Sequence, residues 1–182
     1  MSTYRPLHDG WTLHPGEVHD VPATVPGCVH TDLLAAGLID DPYIDDNEAM
    51  QDWIGRTDWT YRTTFSWLPK DHARTDLVCD GLDTITTIVV NGSTVGHTAN
   101  MHRRYRFDVT DLLVAGGNTL EITFTSPYEF AEQLRAKMGP RPGAYDEPYQ
   151  FIRKMACNFG WDWGPDTATA GIWRTAIHRS AV

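Results

Sequence analysis

Late in the chain, Phe159-Gly160-Trp161-Asp162-Trp163-Gly164-Pro165 sets one carboxylate between two indoles, with glycine on either side and proline behind. Aromatic faces stack on the C–H-rich side of a sugar ring, and a carboxylate accepts hydrogen bonds from vicinal hydroxyls. These residue types together suit carbohydrate recognition. Spacing alone leaves two arrangements open. In an extended segment Trp161 and Trp163 point one way and Asp162 the other. In a turn, all three converge, and Gly164-Pro165 forces a turn there. A plainer alternative also stands: both indoles are core residues and Asp162 is a turn or cap residue. The candidate substrate-binding residues are therefore Asp162, Trp161 and Trp163.

Other chemistries find less support. Glycosidic hydrolysis uses two carboxyl groups, roughly 5–5.5 Å apart for retention or about 6.5–9.5 Å for inversion. Asp40, Asp41, Asp45, Asp46 and Glu48 form an acid cluster, but it lacks the central glycine and spacing of a calcium loop. It reads as a solvated loop. Asn47-Glu48 has the composition of an acid/base dipeptide, yet it follows a charged loop rather than a barrel strand and is rejected. Gly139-Pro140-Arg141-Pro142-Gly143 carries prolines, which remove the amide donors a phosphate loop needs. Cys28-Val29-His30 is an isolated pair without a second pair at zinc spacing. His30 and His102 read as core or surface histidines, and Cys79 as a small core residue. No metal or cofactor is expected.

Any such site has to be carried by a scaffold, and the scaffold is mostly strand. Trp59, Tyr61 and Phe65 alternate with Thr60, Arg62 and Thr64, the period of a half-buried strand. Ile85–Val90 is rich in β-branched residues and ends in Asn91-Gly92, a strong hairpin signal, with Ser93–Thr98 returning. Arg104–Val109 and Leu120–Phe124 alternate again, and Gly171–Ile177 reads as a late strand. Helix is sparse: Val29–Ala36, ended by Gly37, and a helix capped by Ser126 that carries Phe130, Leu134 and Met138 on one stripe before Gly139-Pro140. Two long loops remain, 37–56 with six acids and 145–165 with many aromatics. The fold class is thus all-β, a sandwich or barrel with a few short helices.

With 182 residues, 41% hydrophobic and 21% charged, the chain is expected to form a single domain, 1–182, its patterned part beginning near Trp11. Fifteen Lys and Arg against 24 Asp and Glu leave a net charge of −9 and no basic stripe. Nucleic-acid and membrane-surface partners need a concentrated cationic face and are excluded on that ground. The opening MSTYRPLHDGW lacks a basic segment and apolar run, so a cytoplasmic location is expected.

Several ordered blocks resemble the β-mannosidases of glycoside hydrolase family 2. They are Val25 to Leu34, Asp41-Pro42-Tyr43, Trp53 to Tyr61, Gly81 to Thr84 with Val90-Asn91-Gly92, Arg153 through Pro165, and Gly171 to Arg174. The resemblance implies a jelly-roll, galactose-binding-like β-sandwich that is the first domain of a much longer chain. It implies that the catalytic glutamates of a retaining mechanism sit on a TIM barrel beyond these residues, so that no catalytic residue lies in this chain. The barrel and a β-mannoside substrate are the implied partners. It also implies that Asp162 reaches into the barrel's site to position the mannose, with Trp161 and Trp163 shaping the loop or the pocket wall. Met155 and Cys157 depart from the family's pattern between Lys154 and Phe159. A stand-alone carbohydrate-binding module and a purely structural interaction domain are the alternatives.

Overall fold

A computed structural model describes residues 3–14, 20–69 and 73–181. Among these described residues, ten strands form two antiparallel sheets. They are β1 (Thr3–Pro6), β2 (Trp11–His14), β3 (Val21–Ala23), β4 (Trp59–Trp67), β5 (Arg74–Cys79), β6 (Ile85–Val90), β7 (Ser93–Ala99), β8 (Tyr105–Asp108), β9 (Gly116–Phe124) and β10 (Ala176–Ala181). One sheet runs β1-β10-β5-β8, the other β3-β2-β4-β9-β6-β7. The expected all-β sandwich with a few short helices is the fold observed.

Alternation explains why the strands lie as they do. In β4, Trp59, Tyr61 and Thr63 are buried and Phe65 half-buried; in β9, Leu120, Ile122 and Phe124 are fully buried. The two strands pair along their whole length, from Trp59 opposite Phe124 to Trp67 opposite Gly116. Tyr61 meets Phe124 edge-on at 5.6 Å and Trp11 at 6.4 Å. These rings and Leu13, Leu77, Cys79, Ile88, Val90 and Ala176 fill the space between the sheets. Burial pushes the Cys79 thiol up to about 12, which fits its reading as a core residue. The β6–β7 hairpin turns on Asn91 (φ 49) and Gly92 (φ 80), with Val90 opposite Ser93, as a two-residue loop with positive φ requires.

Among the described residues, three α-helices decorate the sandwich: α1 (Val29–Ala35), α2 (Asn47–Met50) and α3 (Pro127–Met138). Asp32 anchors α1, accepting bonds from the Thr24 amide and the Tyr61 hydroxyl, both at 2.9 Å. At the start of α3, the Ser126 hydroxyl accepts from the Glu129 amide at 3.1 Å and Pro127 occupies the first turn. The buried face of α3 is Pro127, Tyr128 and Ala131, offset from the expected stripe; Phe130 and Leu134 are half-buried and Met138 is exposed. Tyr128 sets that rotation, because its ring packs edge-on against Phe159 at 5.0 Å.

Two expectations are corrected. The 37–56 segment is not wholly irregular: it contains α2 and a 3₁₀ turn at Asp52–Arg56, tied down by the buried Gln51, whose side-chain Nε2 donates to the Asp40 carbonyl at 2.7 Å. The late strand begins at Ala176 rather than Gly171. Gly171 instead pairs with Asp83 in an isolated bridge, and its backbone passes so close to Cys28 that a Cβ there would lie 2.7 Å from the Cys28 Cα. Among the described residues, no helix is long and apolar enough to cross a membrane.

Candidate functional site

Between α3 and β10 the chain makes a long excursion over residues 139–175. A second, smaller apolar cluster of Tyr128, Ala131, Phe151, Ile152, Phe159 and Ala168 supports it from below. The Trp161–Trp163 run sits on this platform.

The turn arrangement is the one adopted. The Trp161 amide donates to the Gly164 carbonyl at 3.4 Å and the Gly164 amide returns a bond to the Trp161 carbonyl at 3.2 Å, so Asp162 and Trp163 stand at the corners of a tight turn. Gly160, at φ 84, gives the chain the left-handed kink that leads into it. Trp161 is half-buried, edge-on to Tyr145 at 5.4 Å and tilted against Trp163 at 5.0 Å. Trp163 is 74% exposed. Asp162 is exposed and has no hydrogen-bond or ion-pair partner among the described residues. The reading of both indoles as core residues therefore does not hold for Trp163, while Asp162 does stand in a turn, as the plainer alternative has it, with its carboxylate open to solvent.

Beside the turn opens a pocket of about 570 Å³, lined by Tyr145, Glu147, Phe159, Gly160, Trp161 and Asp162 among others. One wall is aromatic and two carboxylates face it. This chemistry suits a polyhydroxylated ring: apolar faces for its C–H groups, and acceptors for its hydroxyls. Behind the pocket lies a further acid, Asp166. Burial raises its carboxyl to about 6, the neighbouring Glu147, Asp52 and Glu48 add to the rise, and a bond from the Tyr128 hydroxyl opposes it. Its amide donates to Glu48 Oε1 at 2.5 Å. Glu48 thus braces the loop, whereas Asp40, Asp41, Asp45 and Asp46 lie exposed as a solvated loop.

Tyr145, Glu147 and Asp166 were not singled out from sequence. The density of aromatics in 145–165 marked the region, but only the folded chain brings Glu147 and Asp166 beside residues 159–162. His30 is buried, and burial together with the nearby Lys154 charge pulls its imidazole down to about 4; its Nδ1 has no partner. Cys28, next to it, approaches the Thr31 hydroxyl at 3.6 Å. Among the described residues no group of three or more His, Cys, Asp or Glu is placed to hold a metal ion.

Fold and site together define an antiparallel galactose-binding-like sandwich with an aromatic, acid-bearing loop at one end. Residues 11–174 match the family described as glycosyl hydrolase 2 galactose-binding domain-like, and the chain belongs to that family. It is 39% identical over 181 residues to β-mannosidase of Bos taurus, covering 92% of this chain and 20% of that protein. It is 40% identical over 179 residues to β-mannosidase B of Thermothelomyces thermophilus, covering 93% and 21%. The crystal structure of β-D-mannosidase from Dictyoglomus thermophilum superposes with a TM-score of 0.90 at 38% identity, over 97% of this chain and 22% of that one. The chain thus spans about a fifth of the length of the relatives it matches.

Proposed function

We propose that this chain serves as the galactose-binding-like domain of a retaining β-mannoside hydrolase. In this reading it packs on that enzyme's catalytic barrel and lends Asp162 to the sugar site. The observation that carries the proposal is Asp162 itself: an exposed, unpartnered carboxylate at the corner of a rigid turn, between two indoles and beside an aromatic pocket. Similarity of 38–40% to three β-mannosidases supports the substrate class. Asp162 acts as a positioning ligand, accepting hydrogen bonds from hydroxyls of the mannose ring and holding the scissile bond in place for groups outside these residues. The 74% exposed Trp163 is apolar surface suited to burial against a barrel or sugar.

The test is Asp162→Ala in the full-length hydrolase, assayed on p-nitrophenyl β-mannoside. A charge-assisted bond of roughly 1.5–3 kcal/mol corresponds to about a 10- to 150-fold loss in kcat/KM. Unchanged activity would make Asp162 structural. A second reading, a self-sufficient carbohydrate-binding module, draws on the pocket's aromatic wall; micromolar mannose binding by the chain alone, measured by calorimetry, would favour it.

A further inference from the structure

The loop that presents Asp162 is closed at its neck by a buried polar cluster. The Lys154 side chain is fully buried, and its ammonium has three acceptors: the Asp83 carboxylate, the Thr169 carbonyl at 2.7 Å and the Thr169 hydroxyl at 2.9 Å. Three donors meet three acceptors, so the ammonium is saturated. The Thr169 hydroxyl in turn donates to the same Asp83 oxygen at 2.7 Å. Asp83 also exchanges backbone bonds with Gly171, at 3.0 and 3.2 Å, and its other carboxylate oxygen accepts from the Thr84 hydroxyl. Both feet of the loop, Lys154 going out and Thr169 coming back, are thereby tied to one acid on the segment entering β6. Burial pulls the Lys154 ammonium below its ordinary value, while the Asp83 carboxylate holds it up.

A hydrophobic filler of similar volume holds a fold together as well as a buried ion pair does, and often better. What a fully bonded ammonium adds is direction: it fixes the distance and orientation of the two feet. Only one feature of the loop between them needs such precision, the turn at its far end. We infer that Lys154, Asp83 and Thr169 form a clamp that positions the Asp162 carboxylate for the sugar, an inference that rests on the reading of Asp162 given above. None of the three touches substrate; they act through the loop.

The test uses the intact hydrolase that carries this chain. Thr169→Val removes the hydroxyl while leaving the Lys154–Asp83 pair in place, whereas deleting either charge strands the other in the interior and threatens folding. Two readouts are taken. In hydrogen exchange, Thr169→Val is expected to speed amides of residues 155–168 by at least about tenfold, because the lost hydroxyl both accepts from Lys154 and donates to Asp83, while amides of β4 and β9 keep their rates. In kinetics on p-nitrophenyl β-mannoside, kcat/KM is expected to fall several-fold, to recover in Thr169→Ser, and to fall no further when Thr169→Val is added to Asp162→Ala. Unaltered loop exchange, or acceleration throughout the sandwich, overturns the clamp. An equal loss in the Asp162→Ala background shows that Thr169 acts on something other than Asp162 and overturns the positioning role. If Asp162→Ala alone costs nothing, the sugar reading fails and the positioning role fails with it, while the exchange rates still decide separately whether the neck is held.

Discussion

Asp166 offers a sharp check on the electrostatics beneath the site. Its carboxyl is raised from 3.8 to about 6, first by burial and then by the charges of Glu147, Asp52 and Glu48; the Tyr128 hydroxyl opposes the rise. One buried oxygen, Oδ1, has no hydrogen-bond partner. Below about pH 4 the group is neutral in both folded and unfolded chains. Between about pH 4 and 6 the folded chain holds the proton more tightly, so stability falls as pH rises, and above pH 6 the whole penalty is present. The rise corresponds to roughly 3 kcal/mol at most. Because the carboxyl is only part buried, solvent screening reduces that to about 1 kcal/mol. Asp166→Asn keeps an acceptor for Tyr128 and removes the charge. The variant is expected to gain about 1 kcal/mol at pH 7.5, or about 2–4 °C in Tm for a chain this size, and nothing at pH 4. Urea denaturation of both proteins from pH 4 to 7.5 reads the difference directly. A gain that does not vary with pH, or a loss at pH 7.5, refutes the reasoning.

Phe124, fully buried between the sheets, should cost about 3–5 kcal/mol when cut to alanine, read as a fall in the urea midpoint with an unchanged slope. Gly171→Ala should destabilise by at least about 2 kcal/mol, because its Cβ would press on the Cys28 Cα at 2.7 Å; a stability equal to the parent's would show that the approach relaxes freely. Cys79, buried and with its thiol pushed up to about 12, should resist a thiol reagent at pH 8 until the chain unfolds, while the half-buried Cys28 and Cys157 react in the folded state.

The central strands were legible in the sequence for two reasons: β4 and β9 bury one face, so apolar and polar residues alternate along them, and β6 is rich in β-branched residues and runs into the Asn91-Gly92 turn. The strands that escaped notice, β1, β2 and β3, are three or four residues long, and Pro22 interrupts the third, so no period could declare itself. The late strand was misplaced by five residues because Ile172 is buried by a bridge and loop contacts, not by a ladder. At the site, Trp161, Asp162 and Trp163 stood out through their types and flanking glycines. Glu147 and Asp166 did not, since the first matters only as part of the pocket's lining and the second through its bond to Glu48, 118 positions away. The Lys154–Asp83 pair, 71 positions apart, is invisible for the same reason: nothing local in either residue foretells an interior partner.

The most direct test of the proposed role of Asp162 is a crystal structure of the full-length protein that carries this chain, with a mannose-configured inhibitor bound. An Asp162 carboxylate oxygen is expected within about 2.5–2.7 Å of a sugar hydroxyl, with the Trp161–Gly164 turn unchanged. A bound sugar with Asp162 turned to solvent, or bonded only to protein, would contradict that role.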